Sequence, residues 1–473
     1  MSKTSNRRRS DAQTTMMSTD IETFPNAVRY LLTRNDLERT RVARVNPDET
    51  FKLDRTRALL EALDNPQQDV RMVHVAGTVG KGSTVAMVAS MLSGCGYTVG
   101  TFTSPHLVDI RERIAINGVS ISRSDFTSLI KIVADAAEKA GLEPTFFEVV
   151  TAAAFRYFAE QAVDIAVIEV GLGGRLDCTN VITPEVSVIT QIDMDHTALL
   201  GRTIEEIARE KAGIMKQGIP ALTFDQDPKV VAVLREEAES RGALLKVIGE
   251  DIEFSRRFNA GNEGGPQSRI CVINGESQYM HVAVPLPGEH QALNCGVALA
   301  AVDTLRASGF EFEEVPLLAG LAATTVPGRM ELVWQQPRIL VDGAHNPASL
   351  GALMRSVGGH VPYDSMVCVF GCCEDKDVAA MLEKAALGGD KLIFTRARGN
   401  PRALDPEELQ RQFSEISGKM SQVAATVPEA LDLATQAVGR DDLICVTGSF
   451  YLVGETKKFL ADLERKRAAA AKA

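Results

Sequence analysis

The sequence predicts an α/β fold: a doubly wound, mostly parallel sheet with a P-loop, a small antiparallel elaboration, and a second, smaller α/β domain. Three features point there. From about Val70, the runs "VRMVHVAG", "YTVGTFTS", "DIAVIEVG" and "VSVITQID" each lead through a turn into a helical stretch. They are apolar throughout, as strands buried on both faces by helices must be. A second alternation starts after "TTVPGRME", with "RILVDGA", "SMVCVFG", "KLIFTRA" and "DDLICVTG" as its strands. Between the two, "FNAGNEGGPQSRICVINGESQYMHVAVPLPGEH" reads as antiparallel strands joined by glycine-rich turns.

At 473 residues the chain exceeds one ordinary core, and its length suggests about two to three domains. Residues 1–20, which open with "MSKTSNRRRSDAQTTMM", have basic residues but no apolar stretch behind them, which suggests a disordered tail rather than a signal peptide. A first domain is expected over 21–325, with the small β elaboration at about 250–290, and a second over 326–473. The closing "RKRAAAAKA" continues a surface helix.

Composition narrows the function classes. The formal net charge of -11 gives no bulk attraction to nucleic acid or an anionic membrane. No apolar run reaches transmembrane length. The eight cysteines show no CxxC pair and no zinc spacing, so buried free thiols in a reducing cytoplasm are expected, including Cys368, Cys372 and Cys373 in "VCVFGCC".

The first strand–turn–helix unit is "HVAGTVGKGSTVAMVASML", beginning at His74. It misses the Walker A spacing, which needs glycine at Val75 and a hydroxyl at Gly82. Physically it still reads as a phosphate cradle. Gly77, Gly80 and Gly82 permit close approach, Lys81 neutralises charge, and Ser83 or Thr84 can reach phosphate or metal at the helix start. A plain glycine turn with a solvated lysine is the bland alternative.

Ligands of open parallel sheets bind outside the carboxyl ends of the strands. Ser104 in "TSPH", Glu169 at the end of "DIAVIEV" and His196 in "DMDH" all fall at such ends, and together suit a hard divalent cation. Ser104 could instead cap a turn and His196 could be a surface histidine. Glu169 is harder to set aside, because a carboxylate inside an apolar run must be paired or sit on a metal.

In "GRTIEEIAREKAGIMK", Thr203 and Glu206 form a capping box that starts a helix ending near Gly213. Ile204, Ile207, Ala208 and Lys211 then share one face. A desolvated lysine becomes a neutral amine that reacts with carbon dioxide to give a carbamate. The alternative is a snorkelling lysine at a helix C-terminus.

The ordered blocks "GTVGKGS", "FTSPHLVDIRERI", "TFFEVVTAAAF", "EVGLGGRLDCTNVI", "DHTALLGRTIEEIAREKAGIMK", "LPGEHQALNCGVALAA", "VPGRMELV", "VDGAHNPASL", "EDKD" and "VTGSFYLVGE" resemble the folylpolyglutamate synthase/dihydrofolate synthase family. The resemblance runs from about Arg71 to the last helix. It extends to the wider Mur-ligase superfamily, whose phosphate loop has this compact spacing.

That resemblance implies an ATP-dependent ligase joining L-glutamate to a folate or dihydropteroate carboxylate through an acyl phosphate. Gly77, Thr78, Gly80, Lys81, Gly82 and Ser83 then hold ATP, with Asn294, Arg329 and Asp342 as further nucleotide contacts. Ser104, Glu169 and His196 match the ligands of magnesium, two ions being implied, and Lys211 matches a carboxylated lysine. Thr145, Phe146, Phe147 and Glu148, with Leu176, Asp177 and Cys178, match the pterin pocket. His345 and Ser449 match the glutamate site. Lys81, Lys211 and His345 are the implied catalytic residues. A cytoplasmic monomer with no nucleic-acid or membrane partner is implied as well.

Three positions depart from the family pattern: Val79 stands for a usual asparagine, Ala198 for an aspartate and Cys178 for an alanine. Val79 removes a side-chain hydrogen bond but leaves the backbone cradle. Two other function classes compete: a Mur-type ligase on another carboxylate, and a P-loop switch that hydrolyses ATP without an acceptor amine. "GLGGR" as a dinucleotide fingerprint lacks the ordered G-x-G-x-x-G at a helix start.

Overall fold

The computed structural model describes residues 17–36, 53–259, 266–275 and 277–470. Its first sheet has eight strands: β1 (Met72–Ala76), β2 (Val99–Phe102), β3 (Ile114–Ile116), β4 (Val119–Ser120), β5 (Ile165–Glu169), β6 (Val186–Ile189), β7 (Pro220–Phe224) and β8 (Leu244–Ile248). They lie in the order β4-β3-β2-β5-β1-β6-β7-β8. From β2 to β8 all pairings are parallel, and β3 and β4 add an antiparallel edge.

Every residue of β1, β5 and β6 is buried, as their unbroken apolar sequence requires. On one face the sheet packs on the helices Lys81–Gly94 and Glu289–Thr304 through Val85, Val88, Leu92, Ala298 and Val302. On the other it packs on Arg123–Lys139 and Phe146–Glu160 through Phe126, Ile130, Val150, Phe155 and Phe158. Each Val, Ile, Leu or Phe among these side chains contributes about 1.5–3 kcal/mol by leaving water. The register pairs Val75 with Glu169, Ala76 with Ile189 and Phe102 with Ile168, so four strands end at one level and their loops face one crevice.

The elaboration is a three-stranded antiparallel sheet, β9 (Glu253–Asn259), β10 (Gln267–Asn274) and β11 (Ser277–Ala283), with β10 central. The first of its expected glycine-rich turns, 260–265, lies outside the described residues. Asp303 on the helix Glu289–Thr304 accepts hydrogen bonds from Asn274, Ser277 and Tyr279, tying the small sheet to the large one.

The second domain holds β12 (Glu331–Gln335), β13 (Arg338–Val341), β14 (Met366–Phe370), β15 (Lys391–Phe394), β16 (Ser421–Val423) and β17 (Leu443–Thr447). Their order is β12-β13-β17-β14-β15-β16, parallel except for β12. Residues 323–330, between the helix Glu314–Ala322 and β12, form no helix or strand.

Ser18–Asp20 depart from the tail expected over 1–20. Residues 1–16 lie outside the described residues, but Ser18–Asp20 form a 310 turn in which Ser18 is buried and donates from its backbone and hydroxyl to Glu138. Among the described residues, no helix is long and apolar enough to cross a membrane.

Candidate active site

The loop after β1 is built from its backbone. Gly80, at φ +97°, caps the helix Lys81–Gly94 with no side-chain acceptor on its first N–H groups, which leaves them for an anion. A Cβ on Gly77 would overlap Thr190, and one on Gly80 would overlap Asn294. The backbone N–H groups of Thr78 and Val79 donate to the carbonyl of Gln191 at 2.7 and 3.1 Å, and Thr190 Oγ1 donates to the carbonyl of Val79 at 2.8 Å. The cradle therefore stands without any help from the Val79 side chain.

Two lysines converge on this loop. Lys81 Nζ donates to the Gly77 carbonyl oxygen at 3.0 Å, and Lys211 Nζ donates to the same oxygen at 2.9 Å. Lys211 sits on the helix Ile204–Ala212, which begins with the expected Thr203–Glu206 capping box. Ile207 and Ala208 share its buried face, whereas Ile204 is half-buried. Lys211 is 4 % exposed. Burial first, and Lys81 second, lower its pKa to about 7.

Glu169 ends β5, is also 4 % exposed, and accepts the backbone N–H of Ser104 at 3.1 Å. Burial raises its pKa, with Lys81 as the largest opposing influence. His196, at φ +49°, keeps about a third of its side chain exposed, and desolvation of the ring lowers its pKa. Among the described residues no three His, Cys, Asp or Glu side chains form a ready-made metal cluster. A desolvated carboxylate with a neutral imidazole and a hydroxyl nearby nevertheless fits magnesium, which takes one or two carboxylates and completes its shell with phosphate and water.

Asp195, beside His196, links the two domains. Its Oδ1 accepts Lys376 Nζ at 2.6 Å, its Oδ2 accepts Asn346 Nδ2 at 3.3 Å, and His345 Nε2 lies 3.9 Å from Oδ2. Burial pushes the Asp195 carboxyl up, but its surroundings outweigh this and hold it below the ordinary carboxylate range. His196, then Lys376 and His345, are the neighbours that do so.

A second wall comes from the helix Phe146–Glu160 and the loop after β5. Thr145 caps that helix, and Glu148 closes the capping box while also taking Arg55 Nε at 2.8 Å and Thr56 Oγ1 at 3.0 Å. Asp177 accepts the N–H of Leu172 and both donors of Thr179, and Thr179 Oγ1 lies 2.9 Å from Nε2 of the buried His74. Cys178 Sγ meets Thr151 Oγ1 at 3.2 Å. These carboxylates are fixed before any ligand arrives.

The residues behind the loop and on the second domain are equally tied down. Gln291 bridges Ser83 Oγ at 3.2 Å and Asn294 Nδ2 at 3.0 Å. Arg329 stacks over Phe450, and Asp342, whose pKa burial raises, accepts the N–H groups of Met330 and Ala344. His345, neutral with a pKa lowered to about 4 by burial, lies 2.8 Å from the Gly343 carbonyl through Nδ1. Ser449 Oγ accepts the N–H of Leu452.

One cavity of about 260 Å³ joins these groups. Its wall includes Gly77, Thr78, Gly80, Lys81 and Gly82 of the loop, then Ser104, Glu169, His196 and Lys211. Thr145, Phe147, Glu148, Leu176, Asp177 and Cys178 line its second side, and Arg329, His345 and Ser449 its third. Ser83, Asn294 and Asp342 stand behind the wall, and Phe146 is a core side chain under Arg113. Sequence reading passed over Asp195, Lys376, Arg402 and Gln291. The only signal for the first two was their place in "DMDH" and "EDKD".

The chain is similar to known proteins along most of its length. Residues 75–302 match the Mur ligase middle domain and 328–450 the Mur ligase, glutamate ligase domain. A dihydrofolate synthase/folylpolyglutamate synthase of Bacillus subtilis is 36% identical over 415 residues, covering 86% of this chain and 94% of that protein. Its counterpart in Mycobacterium tuberculosis is 37% identical over 406 residues, covering 82% of each. A crystal structure of the Mycobacterium tuberculosis folylpolyglutamate synthase complexed with ADP and AMPPCP superposes with a TM-score of 0.80 at 34% identity, covering 87% of this chain and 96% of that one. Escherichia coli FolC in complex with DHPP and ADP gives 0.82 at 28% identity, covering 95% and 100%.

Proposed function

We infer the reaction from one premise: the chain belongs to the dihydrofolate synthase/folylpolyglutamate synthase family of Mur ligases. It is an ATP-dependent ligase of the folate synthase type. The acceptor carboxylate, a poor electrophile, attacks the γ-phosphorus of ATP, which expels ADP and leaves an acyl phosphate. The amine of L-glutamate then attacks the acyl carbon; phosphate departs, the amine gives up a proton, and an amide remains.

One observation carries the assignment of residues: the phosphate loop, the Thr145–Cys178 wall and the His345–Ser449 wall share a single cavity. In this reading Lys81, the loop N–H groups and the start of the helix Lys81–Gly94 bind the β- and γ-phosphates and offset the charge that spreads during transfer. Ser83, Asn294, Arg329 and Asp342 position the nucleotide. Phe147, Leu176 and Cys178 take the pterin ring, with Asp177 and Glu148 as fixed acceptors around it. His345 and Ser449 receive the amino acid.

Ser104, Glu169 and His196 would hold magnesium, and carboxylated Lys211 a second ion. Bound there, the metal supplies Lewis-acid neutralisation of phosphate charge. Lys211 needs only its neutral amine, which at pKa about 7 is abundant at neutral pH. The amine attacks carbon dioxide and loses one proton to give the carbamate. Both chemical steps depend chiefly on positioning, so closure of the second domain through Asp195 belongs to the cycle. The chain acts as a monomer in the cytoplasm, where its eight free thiols stay reduced.

The test is ADP release with magnesium ATP, crossing dihydropteroate, tetrahydrofolate and a muramyl precursor against L-glutamate and other amino acids. Turnover that requires a pterin acceptor and L-glutamate is expected, and the acceptor used separates the two synthase activities. ADP release indifferent to both would overturn the reading.

A further inference from the structure

The second domain's side of the cavity includes His345, Cys373, Lys376, Arg402, Ser449 and Tyr451. An acidic amino acid entering there brings two carboxylates into a buried space, and each needs a cation or several donors. His345 is neutral and Ser449 uncharged, so neither supplies charge. Arg329 aside, which stacks over Phe450, the cations of this wall are Lys376 and Arg402.

They are placed differently. Lys376 reaches across the domain boundary to Asp195 at 2.6 Å, so it stands at the end of the wall nearest the phosphate loop. Arg402 is held within the second domain. Its Nη1 lies 3.1 Å from Asp375 Oδ2, its side chain is 12% exposed, and its Nε is buried with no acceptor. The backbone is fixed on both sides of it: the Arg402 N–H donates to Asn400 Oδ1 at 3.0 Å, and its carbonyl accepts the N–H of Glu374 at 2.9 Å. A guanidinium has five donors, and the Asp375 carboxylate with the Tyr451 hydroxyl does not exhaust them.

The chemistry orders the two ends of the amino acid. The attacking amine and the α-carboxylate share one carbon and must lie at the domain boundary, where the acyl phosphate forms. Two methylenes then carry the side-chain carboxylate away from the boundary and into the second domain. We propose that Arg402 anchors the side-chain carboxylate of the incoming amino acid and so makes the site selective for an acidic one. The proposal rests on the ligase reading above. A fixed planar fork recognises a carboxylate and loses little entropy in doing so, which a lysine at this position would not match.

The test uses the full chain with magnesium ATP and a pterin acceptor, comparing L-glutamate with L-glutamine in wild type, Arg402→Gln and Arg402→Lys. Arg402→Gln is expected to raise the KM for L-glutamate about 100-fold, to narrow the preference over L-glutamine, and to leave the KM for ATP within about twofold. Arg402→Lys recovers part of the loss. The thermal shift given by ADP reports folding, and should Arg402→Gln lack it, Arg402→Lys alone decides by the same two ratios. An unchanged glutamate KM, or a loss confined to kcat with the preference over glutamine intact, overturns the assignment of Arg402. A wild type that ignores the amino acid altogether overturns the ligase reading instead.

Discussion

Lys81 and Lys211 donate to one and the same acceptor, the carbonyl oxygen of Gly77, at 3.0 and 2.9 Å. Two like charges on one oxygen in a buried space are unfavourable, and the cheapest relief is for the more buried of the two to lose its proton. Lys211 is that residue.

Its ordinary pKa of 10.5 falls to about 7, so the folded chain binds fewer protons than the unfolded chain between those values. Stability from this group therefore rises as pH increases from about 7 toward 10.5, and the full cost of charging it is present below 7. Carbamate formation follows the same direction. With 13C-labelled bicarbonate, wild type is expected to show a carbamate carbon resonance that strengthens as pH rises through 7 and is missing from Lys211→Ala. The variant loses activity, and extra magnesium does not restore it. A resonance of equal strength in Lys211→Ala, or an unchanged kcat, would remove the carbamate.

Asp195 and Lys376 make a second testable pair, each about one-tenth exposed. Removing one partner leaves a buried charge uncompensated, which costs about 3–5 kcal/mol, whereas removing both costs less. Asp195→Asn is thus expected to be more destabilising than Asp195→Asn combined with Lys376→Met, and chemical denaturation of the four proteins measures the coupling. Because the folded carboxyl lies below its ordinary range, the pair's contribution is intact at neutral pH and fades only in strong acid. Strictly additive losses would mean that the domains meet without help from this contact.

How much of the molecule could be read from sequence depended on range. Glu169 stood out because an ionisable side chain inside an unbroken apolar strand must have a reason, and that reason is local. Lys211 stood out by helical spacing. Lys376 did not, because its partner lies 181 positions away in the other domain. Arg55 holds Glu148 across 93 positions, and nothing near either residue announces the pairing. The same rule governs the strands. Those buried on both faces were legible, whereas β3, β4 and β16 have only two or three residues each, and β4 is wholly exposed.

Glu169→Gln keeps shape and removes charge. Since Glu169 is desolvated and its main opposing influence is Lys81, the variant is expected to bind ADP and to fold. Turnover should fall by about 100- to 1,000-fold, the scale of losing one electrostatic group from a preorganised site. Calorimetry with ADP and a single-turnover assay separate the two effects. Lost ADP binding with normal turnover of what remains would place Glu169 in nucleotide binding rather than in phosphoryl transfer.

Val79 offers a prediction in the other direction. Its N–H donates to the Gln191 carbonyl, and its own carbonyl accepts Thr190 Oγ1, so its conformation is set by backbone contacts that any side chain keeps. The side chain is half-buried in the loop proposed to hold phosphate. Val79→Asn therefore adds a donor without disturbing the cradle. A hydrogen bond to a charged group contributes about 1.5–3 kcal/mol, so ATP is expected to bind about tenfold tighter or more. Calorimetric titration with ADP and the KM for ATP check it. An affinity that does not change, in a variant that melts where wild type does, would show that the backbone amides and Lys81 already satisfy every phosphate oxygen this loop can reach.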